Sequence, residues 1–252
     1  MKLLLPLILK KQMKKLFKVL RYIGLGFLFC FTAVLILLIN FVFSTPKIAL
    51  QDLPPNLISN KSAMGKELLA ESIHADYPIL QKNFVSQSRR AFCGVASSVI
   101  ALNSLTNSPS LVTQSSIFNS ESRKVIHPLK VTFGGMTLAQ LNGILRANQL
   151  NSKLIYATNI DIEQFRELAQ NNLNNPQDVI LVNYRRPALN QPGGGHISPI
   201  AAYHQKSDRF LILDVAAYKY LPTWVKTQEL WKGINSMDKT SNRSRGLIVV
   251  QG

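Results

Sequence analysis

Between Tyr22 and Phe43 the chain runs for 22 residues, YIGLGFLFCFTAVLILLINFVF, without a charged side chain. At 1.5 Å per residue a helix of that length measures about 33 Å, close to the hydrocarbon thickness of a bilayer. This stretch therefore has to fold apart from the rest of the chain. Residues 1–43 hold Lys2, Lys10, Lys11, Lys14, Lys15, Lys18 and Arg21 and no acidic residue, with every basic group ahead of the apolar run. That asymmetry predicts a cytoplasmic N-terminus and export of the residues C-terminal to the run. The competing reading is a cleaved signal peptide. The run exceeds a usual signal core, and Phe41-Val42-Phe43-Ser44-Thr45-Pro46 offers no small-x-small cleavage site, so an uncleaved anchor is expected. Cys30 follows Phe29 rather than the small residue that precedes a lipidated cysteine, and reads as membrane filler. Met13 heads a second, more conventional basic start.

The net charge of +16 invites a nucleic-acid reading, but seven of those charges belong to residues 1–43. The remaining basic residues are scattered, without an arginine-rich tract or interleaved aromatics, and no nucleic-acid partner is expected. An anionic membrane surface or a small anionic substrate accounts for the excess. Two cysteines, one inside the apolar run, form neither a disulfide framework nor a zinc cluster, so no metal ligands are assigned. Residues 44–65, rich in proline, serine and asparagine, read as a linker, and residues 66–252 as a domain large enough for a full core.

Within that domain a short helix is expected over 66–73 and a second over 93–105, stopping near Asn107-Ser108-Pro109. Residues 110–130 read as short helical pieces and loop. Thr137 with Gln140 three residues on is a capping-box signal for a helix over 138–147. A strand is expected over 153–157 and a helix from Asn159 or Asp161 to about Asn171. Runs rich in β-branched and aromatic residues come next at 179–184, 196–203, 209–215 and 246–250, with Ser207-Asp208 as a hairpin turn. Helices first and antiparallel strands after predict an α+β domain with a helical half and an antiparallel β half.

Cys93 stands where a loop turns into a helix, after Arg89 and Arg90. A helix N-terminus favours a thiolate, although a lone cysteine is also at home as a buried structural residue. Gln87, six residues upstream, offers an N–H to a developing oxyanion. His74, His127 and His204 read as solvated: a helix end, a polar loop and a hairpin tip. His196 differs, because it follows Gly193-Gly194-Gly195 and opens an apolar strand, where glycines leave backbone clearance beside an imidazole. Asp214 ends the partner strand, at the hairpin end away from the turn, as His196 does. A helical Cys93 facing His196 and Asp214 across a cleft, with Gln87 at the oxyanion, is the arrangement of papain-like cysteine peptidases.

Phe92-Cys93-Gly94-Val95-Ala96-Ser97 with Leu102-Asn103-Ser104-Leu105 resembles the nucleophile motif of phytochelatin synthases. Gly194-Gly195-His196-Ile197-Ser198-Pro199-Ile200-Ala201-Ala202-Tyr203 resembles their histidine motif. Their aspartate motif resembles Arg209–Val215 followed by Tyr218-Lys219-Tyr220, and Trp224-Val225-Lys226 and Leu230-Trp231 continue the likeness. The resemblance covers roughly residues 66–252. It implies a papain-like fold acting on glutathione, with Cys93 as nucleophile, His196 as base then acid, and Asp214 as orienter. The acyl group, a γ-glutamylcysteinyl thioester, would pass to water or to a second glutathione. By resemblance Asp238 meets the substrate amine, Arg245 its carboxylate, and Tyr218 lines the pocket. The chain ends at Gly252 without the cysteine-rich C-terminal domain of eukaryotic members, which makes it similar to bacterial short forms and leads to an expectation of hydrolysis with weak transpeptidation. No cofactor is implied; cadmium or zinc would enter as glutathione thiolate complexes. The expected partners are glutathione, the membrane and a second copy of the chain, and the expected location is a bacterial inner membrane with the catalytic domain on the periplasmic side. Two other readings stand beside this one: a different papain-like peptidase, such as a leader-processing enzyme, and a membrane-tethered binding module without turnover.

Overall fold

A computed structural model describes residues 5–106 and 110–252, with the backbone alone for 5–9 and 11. The expected helix stop at 107–109 lies outside the described residues. The chain divides into two units, Met1–Ser44 and Thr45–Gly252.

Among the described residues the first unit holds one helix, α1 (Leu5–Phe43), whose stretch Gln12–Phe43 has the length and composition shared by membrane spans and signal sequences. Its polar side chains turn back on the helix: Thr32 Oγ1 donates to Phe29 O and Asn40 Nδ2 to Ile36 O. Such internal satisfaction is what a lipid environment demands of polar groups.

The second unit contains, in chain order, β1 (Ile58–Ser59), α2 (Ala63–Ala70), α3 (Tyr77–Lys82), α4 (Cys93–Leu105), α5 (Ser120–Val125), α6 (Pro128–Gly134), α7 (Leu138–Ala147), β2 (Asn151–Tyr156), α8 (Ile162–Leu173), β3 (Asp178–Arg185), β4 (Gly195–His204), β5 (Arg209–Ile212), β6 (Thr223–Lys226), α9 (Thr227–Ile234), β7 (Met237–Asp238), β8 (Arg243–Ser244) and β9 (Gly246–Gln251). Seven strands form one antiparallel sheet in the order β1-β6-β5-β4-β3-β9-β2, and β7 pairs with β8 separately. This is an α+β fold.

Alternation along the central strands sends side chains into two cores. Val179 and Leu181 of β3 join Ile197 and Ala201 of β4 against α4 and α7. Ile180 and Val182 face the other way with Ile200 and Phe210, under Phe165 of α8 and Leu230 of α9. Covering both faces explains the unbroken apolar stretch Val179–Val182 in β3. It also alters the expected segregation, since α8 and α9 close the face opposite α4 and α7. Helix α7 starts on the Thr137–Gln140 capping box, and α8 on a second box formed by Asp161 and Gln164.

The expected linker over 44–65 becomes, from Ala49 onward, part of the compact unit. Ala49 N donates to Tyr218 O, Gln51 N to Lys219 O, and Tyr220 Oη to Gln51 Oε1. Ser59 and Ile58 pair with β6. Buried Trp224 donates through Nε1 to both Asn60 Oδ1 and Gly65 O, each at 3.0 Å. Gly65 allows this approach, because a Cβ there would run into the Ser59 carbonyl. Polar composition suggested a free tether, but its backbone groups find partners at a sheet edge.

Candidate active site

Helix α4 presents Cys93 in its first turn, where backbone N–H groups lack intrahelical acceptors. The helix is seated on β4. Ser97 Oγ, one turn from the cysteine, donates to Ile197 O at 3.1 Å in the interior. Gly94 lets this turn lie close to Met136 and Ile197, which a Cβ would meet. The next residue before Ile197 along β4 is His196, paired in register with Tyr184 of β3. The Tyr184 ring stands edge-on to the imidazole, with centroids 5.6 Å apart.

Asp214 lies just beyond β5, where Leu213 N still donates to Pro199 O and continues the strand pairing. His196 Nε2 is 2.7 Å from Asp214 Oδ1. A carboxylate accepts, so Nε2 carries the proton and Nδ1 is left as the nitrogen for the Cys93 thiol. Cys93 and His196 line the same cavity and act on each other's titration, which brings the three side chains into one group.

Burial and charge oppose each other at all three members. Burial pushes the Cys93 thiol up, but the hydrogen bond and charge of His196, with backbone bonds at Ile197 and Gly94, bring it below its ordinary value. Burial and the Arg186 charge push His196 down, yet Asp214 and Cys93 outweigh them and hold it above the ordinary imidazole value. Asp214 is raised by burial but held far below the usual carboxylate range by His196 and Arg186. These directions favour a thiolate–imidazolium pair.

Arg186 was not singled out in the sequence. It comes directly after β3, with Nη2 2.9 Å from Asp214 Oδ1 and 2.8 Å from Oδ2, while Nη1 donates to Gln191 Oε1 at 2.6 Å. Its guanidinium lies 5.2 Å from the centre of the Tyr220 ring. The pair is buried on both sides, at 5% and 3% side-chain exposure, so each charge depends on the other. The available signal was an arginine closing an apolar strand ahead of Pro187.

A cavity of about 270 Å³ opens beside the thiol, lined by Cys93, His196, Arg90, Met136, Asp238 and Arg245 among others. Two of the residues named by resemblance, Asp238 and Arg245, are therefore in the same cavity as Cys93. Arg245 Nη1 donates to Asn183 Oδ1 at 2.8 Å, its Nη2 lies 3.7 Å from Asp238 Oδ1, and its buried Nε has no partner. Gly195 leaves the space that the Arg245 guanidinium occupies. Asp238 Oδ1 also accepts from Thr240 N. The cavity thus carries two arginines, Arg90 and Arg245, and one carboxylate, Asp238, beside the Cys93 sulfur.

Tyr218 is half-buried in the loop after Asp214, with Lys219 Nζ 5.9 Å from its ring centre, and is not among the residues lining this cavity. Gln87 is buried, and its Nε2 donates to the carbonyls of Arg89 and Arg90 at 2.9 and 2.7 Å. Both amide hydrogens thereby brace the loop that delivers Cys93. His204, expected in solvent, is 5% exposed, bonded to Ser207 Oγ at 2.7 Å and 3.5 Å from Glu71. The turn at 205–208 folds back far enough to cover it. His127 caps α6, and His74 Nδ1 is 2.8 Å from Ser72 O.

The phytochelatin synthase family model matches residues 48–247. Among curated relatives, glutathione gamma-glutamylcysteinyltransferase 1 of Lotus japonicus is 30% identical over 203 residues, 78% of this chain and 40% of the relative. The Triticum aestivum protein of the same name is 31% identical, over 78% of this chain and 41% of its own length. Glutathione gamma-glutamylcysteinyltransferase of Schizosaccharomyces pombe is 25% identical over 208 residues, 80% of this chain and 50% of the relative. The aligned part of the chain spans between two fifths and half the length of these relatives.

Proposed function

The chain belongs to the phytochelatin synthase family, and on that footing we propose that Cys93 cleaves the Cys–Gly peptide bond of glutathione through a γ-glutamylcysteinyl thioester. The observation that carries this reading is the Cys93–His196–Asp214 chain at the edge of a cavity holding Arg245 and Asp238. The thiolate attacks the cysteinyl carbonyl carbon, and the negative charge on its oxygen meets the Cys93 N–H at the positive end of α4. Gln87 is the proposed second donor. In the free enzyme its amide hydrogens hold two loop carbonyls, so it has to exchange one of those bonds as substrate binds. The His196 imidazolium gives its Nδ1 proton to the departing glycine amine, and the thioester remains on Cys93. His196, now neutral, takes a proton from water or from the amine of a second glutathione. Water yields γ-glutamylcysteine; a second glutathione yields the first phytochelatin. Asp214 holds the tautomer throughout and takes no proton.

The substrate's γ-glutamyl end bears a carboxylate and an amine, which Arg245 and Asp238 complement. Cadmium or zinc would arrive as a thiolate complex of glutathione, as substrate. A nucleophile on a helix facing a base and its orienter on antiparallel strands supports a papain-like fold. The basic residues before the apolar stretch of α1 support an inner-membrane anchor with residues 45–252 exported. A C-terminal alkaline phosphatase fusion is then active, and a silent, stably expressed fusion refutes export.

The full chain in detergent is expected to release glycine from glutathione. Cys93→Ala should abolish release, and Arg245→Lys should raise KM by about tenfold or more with a smaller change in kcat, since a bidentate carboxylate clamp is lost. Equal release from wild type and Cys93→Ala sinks the proposal. The ratio of γ-glutamylcysteine to longer peptides reads the choice of acceptor.

A further inference from the structure

Three side chains from three elements converge with their hydrogen-bonding groups unused. Asp76, at the start of α3, has no exposure, makes no cap bond, and neither carboxylate oxygen has a partner. Asp178, the first residue of β3, is 9% exposed, with Oδ1 buried and unpartnered. Asn172, in the last turn of α8, is 4% exposed, and neither its Oδ1 nor its Nδ2 completes a hydrogen bond. The three are neighbours: Asp76 feels the charge of Asp178, and the Asn172 amide lies beside the Asp178 carboxyl. Ala75 N donates to Leu173 O at 3.0 Å, which brings the loop before α3 onto the end of α8. Among the described residues no lysine, arginine or histidine forms an ion pair with either carboxylate.

Buried carboxylates are ordinarily paired, hydrogen-bonded or bound to a metal. We propose that Asp76, Asp178 and Asn172 supply the oxygens of a site for one calcium-class divalent cation. The donors are hard oxygens, two anionic and one neutral, the type that calcium accepts in irregular coordination completed by carbonyls and water. Two carboxylates fall short of a three-member His/Cys/Asp/Glu cluster, and the amide oxygen makes up the third donor. Asn172 and Asp178, though not Asp76, line a half-apolar cavity of about 650 Å³ that also holds Gln164, Glu167, Lys153 and Leu168 and gives an ion a route to those two side chains. A proton is the rival occupant, since burial, then Asp178, pushes the Asp76 carboxyl up to about 8. One proton neutralises one carboxylate and leaves the Asn172 amide unused, whereas a divalent ion engages all three groups.

None of the three lines the Cys93 cavity. The ion would be structural, tying the loop before α3 to the end of α8 and the start of β3. Helix α3 in turn packs Leu80 into the core that surrounds α4, and its Ile79 carbonyl accepts from Ser104 Oγ.

The test uses the full chain in detergent, stripped with chelator and free of thiol compounds, so that it stands apart from any activity on glutathione. Equilibrium dialysis against calcium chloride at pH 7.5 should find one ion per chain. Calcium at about 100-fold over its dissociation constant should raise Tm by about 5–10 °C. Asp178→Asn and the Asp76→Asn, Asp178→Asn double variant should lose both binding and shift. No bound calcium in the wild type overturns the site. So does an equal Tm rise in the double variant, or a calcium-independent gain of stability in Asp76→Asn at neutral pH, which marks a shared proton.

Discussion

The His196→Ala enzyme is expected to release glycine from glutathione on the order of 10³-fold more slowly than wild type, with its pH dependence changed in shape. Wild-type activity should trace a bell. It rises with pH as Cys93 becomes a thiolate, at a pH below the ordinary thiol value, because His196 outweighs the effect of burial. It falls as His196 loses its proton, at a pH above the ordinary imidazole value, because Asp214 and Cys93 outweigh burial and Arg186. Without the imidazole only burial and the backbone bonds act on the thiol, so the acid limb moves up and the alkaline limb disappears. Residual activity should climb through the alkaline range and recover in part with added imidazole. A variant that kept the wild-type bell would show that the proton passes through another group.

Arg186→Met should cost about 3–5 kcal/mol in urea unfolding at pH 7, the usual result of removing one partner of a buried ion pair. The neighbours explain the size: Asp214 would keep its buried position with only His196 and Ala216 N to meet its charge. The sign of the pH dependence is set by the direction of the shift. Asp214 is depressed in the folded state, so its stabilisation is fully present above the unfolded value of about 3.9 and is lost as pH falls through the lower folded value. Removing the guanidinium raises the folded value, so acid destabilisation should begin at higher pH than in wild type. Arg186→Lys should recover part of the loss, keeping a charge but not the fork that spans Asp214 and Gln191. A Met variant within about 0.5 kcal/mol of wild type, the range of ordinary surface changes, would mean that His196 alone satisfies Asp214.

Local signals were legible in the sequence wherever a few adjacent residues decide the outcome. The Thr137–Gln140 box marks the start of α7, and apolar spacing after Cys93 delimits α4 as Cys93–Leu105. Long β-branched runs became β3, β4 and β9. Short elements escaped notice because distant partners sustain them. β6 has four residues held by β5 and β1, and α9 has eight whose Leu230 and Ile234 fill the second core. The meeting of Cys93, His196 and Asp214 was legible because each stands at a recognisable junction of loop and element. Arg186 was not, since its role depends on Asp214, 28 residues further along the chain. Gln87 shows the opposite difficulty: its position was legible, but which acceptors its amide meets depends on the fold of the loop between it and Cys93.

The segment that leaves α1 is stitched to the loop carrying Tyr218, Lys219 and Tyr220 by two backbone bonds and the Tyr220 hydroxyl. That loop continues directly from Asp214, and Tyr220 lies under the Arg186 guanidinium. A soluble protein cut at residue 66 would therefore strip an edge strand from β6 and two acceptors from Trp224, Asn60 among them. It would also unbutton one wall of the Asp214–Arg186 pair. The useful boundary for a soluble enzyme is Thr45, which removes the apolar helix and keeps every one of those fastenings.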